Sequence, residues 1–203
     1  MRNYIQRASI QLVVILFCLS TVILAGDWRS GTPLNTPRWG ASAVVLDGYI
    51  YVLGGATTGG MLLNTVERYD PDTQTWDDTI ISPFSIPRVN AAAIVYNGKI
   101  YLMGGRNSQN EEIDEVEVYD PVSGSWTMVS ELEKKREGHV AFLVNGTICV
   151  MGGLREGQYV DEIEWYDATH DEWHKTSMDM PNPVAAPFYT SHNDSLYLFG
   201  GFY

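Results

Sequence analysis

The sequence predicts an all-β protein built from repeated four-stranded sheets that pack face to face around a common axis. Three observations support this fold class. One phrase returns four times, as YIYVLGG, KIYLMGG, TICVMGG and SLYLFGG, and its glycine pairs begin at residues 54, 104, 152 and 200. Short apolar runs accompany each phrase, and no helical periodicity interrupts them. These runs are too continuous for a sheet that is covered on only one face, so each sheet needs neighbours on both sides.

Each copy opens with two predicted strands. The first strands are the apolar runs ASAVVL (41–46), AAAIVY (91–96), VAFLV (140–144) and PFYTS (187–191). The turns that follow them are Asp47-Gly48, Asn97-Gly98, Asn145-Gly146 and Asn193-Asp194. Such residue pairs tolerate the positive φ angles of a tight hairpin, so the phrase that ends in the glycine pair is the second strand.

Two further strands complete each of the first three copies. The third strands are predicted in TVERYDP (65–71), EVEVYDP (115–121) and EIEWYDA (162–168). Apolar and charged residues alternate in them, which is typical of a strand with one face in water. Trp76, Trp126 and Trp173 mark the fourth strands. Units of about 50 residues with four strands pack radially as the blades of a β-propeller, with the second strand between blades.

The repeated features together resemble the kelch repeat. They are the glycine pair, the Tyr-Asp pair, the tryptophan after it, and an arginine sixteen residues before the glycines, which is Arg38, Arg88 or Arg136. The resemblance covers residues 28–203. It implies a kelch-type β-propeller of four-stranded antiparallel blades, with three full blades (38–87, 88–135 and 136–183) and a partial one (184–203).

The ends of this pattern predict an open arc or a truncated ring. The stretch 26–30, GDWRS, resembles an orphan outer strand, because kelch propellers commonly close with a strand from the other end of the chain. Members of the family usually have six or seven blades, which is more than this sequence provides. Exposed strand edges would favour self-association through the open blades.

The first 25 residues predict an export segment. Arg2 and Arg7 precede the apolar stretch 10–25, and a signal peptide would be cleaved near Ala25, leaving residues 26–203 as the propeller domain. The protein would then be secreted, extracellular or periplasmic. The alternative is an uncleaved signal anchor, which would tether the protein to a membrane only through residues 10–25. Cys149 is the one cysteine after this segment, so no internal disulfide is expected.

Charge and loop residues predict a protein or carbohydrate as the partner. A formal net charge of −12 argues against nucleic acid. Arg38, Arg88 and Arg136 could form a cationic ring that binds a carboxylate, or they could hold neighbouring backbone within each repeat. Loops on one rim of a propeller suit recognition. The non-repeating loop residues that we expect to give specificity are Arg106, Asn107, Arg155, Glu156 and Tyr159.

No catalytic, cofactor or metal constellation is evident in the sequence. His170 and His174 have a four-residue spacing, but this spacing favours a metal on a helix and not on a strand. The leading hypothesis is therefore a non-catalytic, exported binding module. One alternative is an exported carbohydrate enzyme similar to sialic-acid epimerases, using Arg88, Arg136 and His139, or to galactose oxidases, whose copper site has no visible equivalent here. Another is a non-functional fragment. Asn145 and Asn193 begin sequons that would be glycosylated in a eukaryotic secretory route.

Overall fold

The computed structural model describes residues 30–192 and 195–203. The chain divides into two units, Met1–Thr32 and Pro33–Tyr203, and all of the described strands lie in the second. The predicted export segment, most of the predicted outer strand at 26–30, and Asn193 lie outside the described residues. Within the described ranges, no helix has the length and apolar character that a membrane crossing requires.

Among the described residues, three four-stranded antiparallel sheets and one two-stranded sheet form the blades, and a second two-stranded sheet is a short additional hairpin described below. The first sheet contains β1 (Ser42–Leu46), β2 (Tyr49–Leu53), β3 (Val66–Asp70) and β4 (Thr75–Asp77). The second contains β5 (Ala92–Tyr96), β6 (Lys99–Met103), β7 (Val116–Asp120) and β8 (Ser125–Val129). The third contains β9 (Val140–Val144), β10 (Thr147–Met151), β13 (Ile163–Asp167) and β14 (Glu172–Lys175). The fourth contains β15 (Phe188–His192) and β16 (Ser195–Phe199). The prediction of three full blades and a partial one is confirmed.

The hairpin turns adopt the conformation that their sequences predict. Asp47, Asn97 and Asn145 have φ angles of 51°, 49° and 49°, and each is followed by a glycine that also has a positive φ. Two consecutive residues of this kind give the turn whose twist matches that of the flanking strands. The two-residue turn sets the register between β1 and β2, in which Leu46 pairs with Tyr49 and Ser42 pairs with Leu53.

The core lies between neighbouring sheets. Leu53 of the first sheet packs with Ile100 and Leu102 of the second, and Met103 packs with Ile148 and Val150 of the third. These side chains are at most 1% exposed, because each lies in the gap between two neighbouring sheets, and the second strands of the second and third sheets are covered on both faces. Trp126 and Trp173 cover the outer parts of the same gaps, where their indole N–H groups donate to the carbonyls of Ser82 and Ser130 at 3.0 and 3.1 Å.

Two features differ from the sequence-based expectations. The charged face of the third strand is not in water, because Glu67, Glu117 and Glu164 are at most 1% exposed. The reason is that each carboxylate pairs with a buried arginine, as described below. The third blade also carries a short additional hairpin, β11 (Leu154–Arg155) with β12 (Gln158–Tyr159), which the sequence pattern did not predict.

Candidate functional site

The long loops and the connections between blades lie on one rim of the fold. Short antiparallel bridges join the residue after each recurring arginine to the residue after the glycine pair: Trp39 with Ala56, Val89 with Arg106, and Glu137 with Leu154. These paired positions differ in every copy, whereas the arginines and glycines beside them repeat. This rim therefore combines a constant backbone frame with variable side chains, which is the arrangement that recognition surfaces use.

The repeated arginines form a buried network beneath this rim. Arg88 donates from Nε to the carbonyl of Ile86, from Nη1 to the carbonyls of Gly104 and Glu115, and from Nη2 to Glu117 at 2.8 Å. Arg38 and Arg136 make the corresponding contacts with Glu67 and Glu164, and all three arginine side chains are at most 1% exposed.

Because these arginines are buried, they are structural parts of each blade. Removal from water lowers the pKa of Arg88 and Arg136, while the paired carboxylates Glu117 and Glu164 raise it. Each carboxylate also accepts backbone N–H groups from the preceding connection, as Glu117 does from Ser85 and Ile86. A planar guanidinium can satisfy several fixed carbonyls at once, which explains why arginine recurs at this position. The sequence left two roles open for these arginines, which were to bind a carboxylate ligand or to hold neighbouring backbone. These contacts favour the second role.

Arg106 occupies a different position, at the surface between the second and third blades. Its Nη2 atom lies 3.2 Å from Oε2 of Glu137, and its Nη1 atom donates to Asn110. Asn90 donates to the same Oε2 atom at 2.8 Å. Glu137 is 3% exposed, whereas the Arg106 side chain is 31% exposed. The Arg106 guanidinium is thus held by the buried Glu137 carboxylate, and part of it remains exposed on the rim, where its N–H groups can donate to a ligand.

Two adjoining clefts share Arg106. The central cleft is an open space of about 780 Å³ that lies where the blades converge, and its polar wall includes Asn90, Glu137 and His139. The lateral groove, of about 490 Å³, lies over the first two blades and is lined by Trp39, Met61, Leu62, Asn107 and Asn110, among others. Apolar and hydrogen-bonding groups meet in both, which is typical of ligand-binding sites.

Exposed apolar side chains border these clefts. Trp39 is 53% exposed, and its ring is held in place because its N–H donates to the carbonyl of Thr57 at 3.2 Å. Met61 is 63% exposed and Tyr159 is 39% exposed. A fixed aromatic ring with an exposed face gives contact area at a small loss of side-chain entropy when a partner binds.

The remaining predicted loop residues have diverse roles. Asn107 stabilises its own loop, because its Oδ1 atom accepts the N–H groups of Gln109 and Glu111. Arg155 pairs with Glu162 of the same blade, with 2.6 Å between Nη1 and Oε2, and does not line either cleft. Glu156 has a φ of 51° at the turn between β11 and β12. Of this predicted set, Arg106 and Tyr159 line the central cleft, and Arg106 and Asn107 line the lateral groove.

His139 is buried beside the central cleft and has no hydrogen-bond partner among the residues that the structure describes. Both ring nitrogens are enclosed and unbonded, and the residue is 5% exposed. Burial, together with the charge of Arg136, holds its pKa well below the ordinary value. The ring lies against Gly104, where it fills space between the second and third blades.

The other histidines are not brought together as a metal site. His170 pairs with Asp167 at 2.7 Å, and His174 stacks on Trp165 with ring centroids 4.8 Å apart. In the part of the chain that the structure describes, no group of three or more His, Cys, Asp or Glu side chains could hold a metal ion. Asn145 stands exposed at the β9–β10 turn, on the rim opposite the clefts.

Sequence reasoning did not identify Trp39, Asn90 or Glu137. A signal for them was present, because they lie one or two residues after the recurring arginines and yet vary between copies. Divergence at a fixed position of a repeat indicates that the position does not serve the repeat itself.

The four-stranded blades, the buried arginines and the glycine pairs define this domain as a kelch-type β-propeller domain. The model of the KLHDC2/KLHL20/DRC7 Kelch-repeats domain matches residues 30–201, so the chain belongs to this family.

Curated relatives match this chain over part of their length. Kelch-like protein 35 of Mus musculus is 29% identical over 174 residues, which is 86% of this chain and 29% of that protein. Kelch-like protein 23 of Mus musculus is 38% identical over 52 residues, which is 25% of this chain and 9% of that protein. The chain therefore spans less than a third of the length of these relatives.

A solved structure shares the fold. The structure of YjhT superposes with a TM-score of 0.74 at 22% identity, covering 86% of this chain and 63% of that one. At this identity the likeness concerns the fold alone.

Proposed function

We propose that this chain is a non-catalytic binding module that engages a protein or carbohydrate partner at the rim bearing the two clefts. The observation that carries the proposal is the pair of adjoining clefts that share Arg106, with Trp39, Met61 and Tyr159 exposed at their borders. The opposite rim carries the short hairpin turns. A fixed aromatic ring beside a held guanidinium supplies both kinds of group that anchor binding interfaces.

The contacts of the arginines weigh against the enzyme alternative. An epimerase of the kind considered from the sequence would use Arg88, Arg136 and His139 on the substrate. The donors of both arginines are directed to carbonyls and a carboxylate within the blades, and the ring nitrogens of His139 are enclosed. Donors that are occupied within the blades and ring nitrogens that are enclosed are not placed to orient a substrate or to transfer its protons.

A selection experiment tests the binding proposal. The purified full chain is immobilised and offered a random peptide display library and an array of immobilised glycans, and the dissociation constant of each retained ligand is measured. We expect Trp39→Ala to weaken binding at least about tenfold, because an anchoring aromatic side chain contributes more than about 1.4 kcal/mol.

The matched control is Val122→Ala, on the opposite rim. Val122 is 95% exposed in the turn between β7 and β8, so its truncation should leave the dissociation constant unchanged. Ligands that respond equally to both variants, or a screen that retains no ligand on either probe, would contradict the proposal.

We also propose that residues 1–25 direct export. The support is the sequence alone, with its basic start and apolar stretch. Expression of the full chain in a cell with a secretory pathway, followed by mass spectrometry of the exported product, should give an N-terminus near Gly26. A product that stays in the cytoplasm with Met1 or Arg2 at its N-terminus would contradict export.

A further inference from the structure

Two loops with the same pattern of hydrogen bonds form the walls of the lateral groove. In the first blade the N–H of Thr57 donates to the carbonyl of Met61 at 2.9 Å, and in the second blade the N–H of Asn107 donates to the carbonyl of Glu111 at 3.0 Å. In each loop the side-chain oxygen of the first residue accepts the N–H of the last, at 3.2 and 3.1 Å. The groove thus lies between hydrogen-bonded loops of neighbouring blades, which carry different side chains.

The backbone of these loops is paired within the loops themselves. The N–H of Gly60 donates to the carbonyl of Thr57 at 2.9 Å, and the N–H of Asn110 donates to the carbonyl of Asn107 at 3.0 Å. Antiparallel bridges also join the stems of both loops. An extended peptide that adds to a sheet edge needs a row of unpaired N–H and carbonyl groups. Since these groups are used within the loops, recognition in the groove rests on side chains.

Trp39 presents a flat apolar surface to the groove. Its backbone pairs with Ala56 at 2.9 Å in both directions, and its indole N–H donates to the carbonyl of Thr57 at 3.2 Å. The side chain is thus held in place, and the residue is still 53% exposed. The negative face of an aromatic ring attracts the weakly positive C–H groups that line one face of a pyranose ring. A sugar ring therefore matches this surface in both shape and polarity.

Planar polar side chains line the groove on the side of the second blade. Nη1 of Arg106 donates to Oδ1 of Asn110 at 3.2 Å, and Nδ2 of Asn107 donates to Oε2 of Glu111 at 3.4 Å. These contacts orient the guanidinium and both carboxamides. A carboxamide has donors and an acceptor, and a guanidinium has five donors. Adjacent hydroxyl groups of a sugar, each of which can donate and accept, suit such planar groups.

The charge of the groove is balanced inside the protein. Of the described residues that line the groove, Arg106 alone is charged, and its Nη2 atom lies 3.2 Å from Oε2 of Glu137. The Glu137 side chain is 4% exposed, and Asn90 donates to the same oxygen. A ligand carboxylate would compete with Glu137 for this guanidinium, and a buried carboxylate that loses its partner is costly. The groove therefore favours an uncharged ligand.

We infer that the lateral groove binds a neutral oligosaccharide, with one pyranose ring on Trp39 and its hydroxyl groups bonded to Arg106, Asn107 and Asn110. This assignment rests on the proposed binding function and names the ligand class of one of its two clefts. Met61, which is 63% exposed, adds a second apolar group on the side of the first blade. The groove volume of about 490 Å³ lies within the range of about 300–1,000 Å³ that is usual for small-molecule sites.

Titration with matched sugars tests this inference. The purified full chain is titrated in a calorimeter with lactose, maltose, cellobiose and N,N′-diacetylchitobiose, and with the derivative of each in which a primary alcohol is oxidised to a carboxylate. We expect at least one neutral sugar to bind, at least about tenfold more tightly than its own carboxylate derivative. Glu137→Gln should narrow this preference at least about threefold, because it removes the charge that balances Arg106.

Two substitutions of Trp39 separate stacking on a ring from simple apolar contact. Trp39→Phe keeps an aromatic ring and should weaken sugar binding by no more than about threefold. Trp39→Leu keeps an apolar side chain without a ring and should weaken sugar binding at least about tenfold. The control is Val122→Ala on the opposite rim, which should leave the dissociation constant unchanged. Circular dichroism should show native β structure in every variant.

The outcomes distinguish the ligand class from the binding function on which it rests. Peptides that bind the chain and are lost in Trp39→Ala, with none of the neutral sugars bound, would overturn the sugar assignment and leave the binding function intact. A carboxylate derivative that binds more tightly than its parent sugar, or equal sugar binding by Trp39→Phe and Trp39→Leu, would also overturn the assignment. A chain that binds no peptide and no glycan would contradict both proposals.

Discussion

At the scale of single residues, each buried arginine acts as a structural tie. Arg136 joins its own connection, the glycine pair and the third strand through hydrogen bonds to Lys134, Gly152, Glu162 and Glu164. Its positive charge is balanced inside the protein by Glu164. Such a pair adds little when intact, because both charges lose hydration, but it is costly to break.

Removal of this arginine should therefore be severe. We expect Arg136→Ala to lower the free energy of unfolding by about 3–5 kcal/mol, because Glu164 would be left buried and unpaired. Urea unfolding followed by tryptophan fluorescence measures the loss. The control is Arg155→Ala, whose ion pair with Glu162 is partly exposed and should contribute at most about 1 kcal/mol. Equal effects of the two substitutions would show that burial does not set the strength of these pairs.

His139 should make stability depend on pH. Its pKa lies well below 6.5 in the folded protein, so the folded state binds fewer protons than the unfolded state just below pH 6.5. The contribution is complete above pH 6.5 and is lost as the pH falls toward the folded-state pKa, with a slope of up to about 1.4 kcal/mol per pH unit. Urea unfolding between pH 7.5 and 5 should show this decrease.

Two variants identify the group responsible. His139→Ala, which installs the residue found at the same position in the first two copies, Ala41 and Ala91, should flatten the decrease. His170→Gln should keep it, because Asp167 raises the pKa of His170, and a raised pKa stabilises the folded protein at low pH. A slope that is unchanged in His139→Ala would contradict the assignment.

At the scale of structural elements, the glycine pair lets one blade approach the next. Gly104 has a φ of 55°, and its Cα lies where a Cβ would stand 2.7 Å from the carbonyl oxygen of Arg136. The pair therefore permits both the turn of the chain after the second strand and the close contact between blades. The apolar second strand, which ends at the glycine pair, then lies in the gap between two sheets.

A comparison of two glycines separates these requirements. Gly98→Ala places a Cβ in open space at a φ of 70°, so it should cost only the backbone strain of about 1 kcal/mol. Gly104→Ala adds a clash with backbone and should cost about 3 kcal/mol or more. Thermal or urea unfolding of both variants measures the difference, and equal losses would mean that only the φ angle matters.

The sequence predicts the elements better than it predicts their partners. The strands, the hairpin turns at Asn97 and Asn145, and the inter-blade position of the second strand all follow from local pattern. The burial of Glu117 does not, because alternation with apolar residues also describes a wet strand face, and the partner Arg88 lies 29 residues away. The contact of Arg106 with Glu137 joins two blades, and no local pattern specifies such a pair.

At the scale of the whole molecule, one interface is used repeatedly to build the fold. Three sheets pack on their successors through the same apolar positions and the same backbone bonds. Stability in such an arrangement is shared between each blade and its contacts with neighbours. A blade face without a neighbour gives up part of that stabilisation.

The arginine ties also bear on how the rim can change over time. Each arginine binds both stems of a long loop, at the glycine carbonyl and at the start of the third strand, and does not bind the tip between them, which is held by hydrogen bonds of its own such as those of Asn107. The separation between Arg88 and the carbonyl that it binds at the far stem is 27 residues, and for Arg136 it is 26, yet the bond is retained. Insertions, deletions and grafted peptides at residues 107–111 should therefore be accepted by the scaffold, which makes this loop a natural place for evolution or engineering to install new specificity.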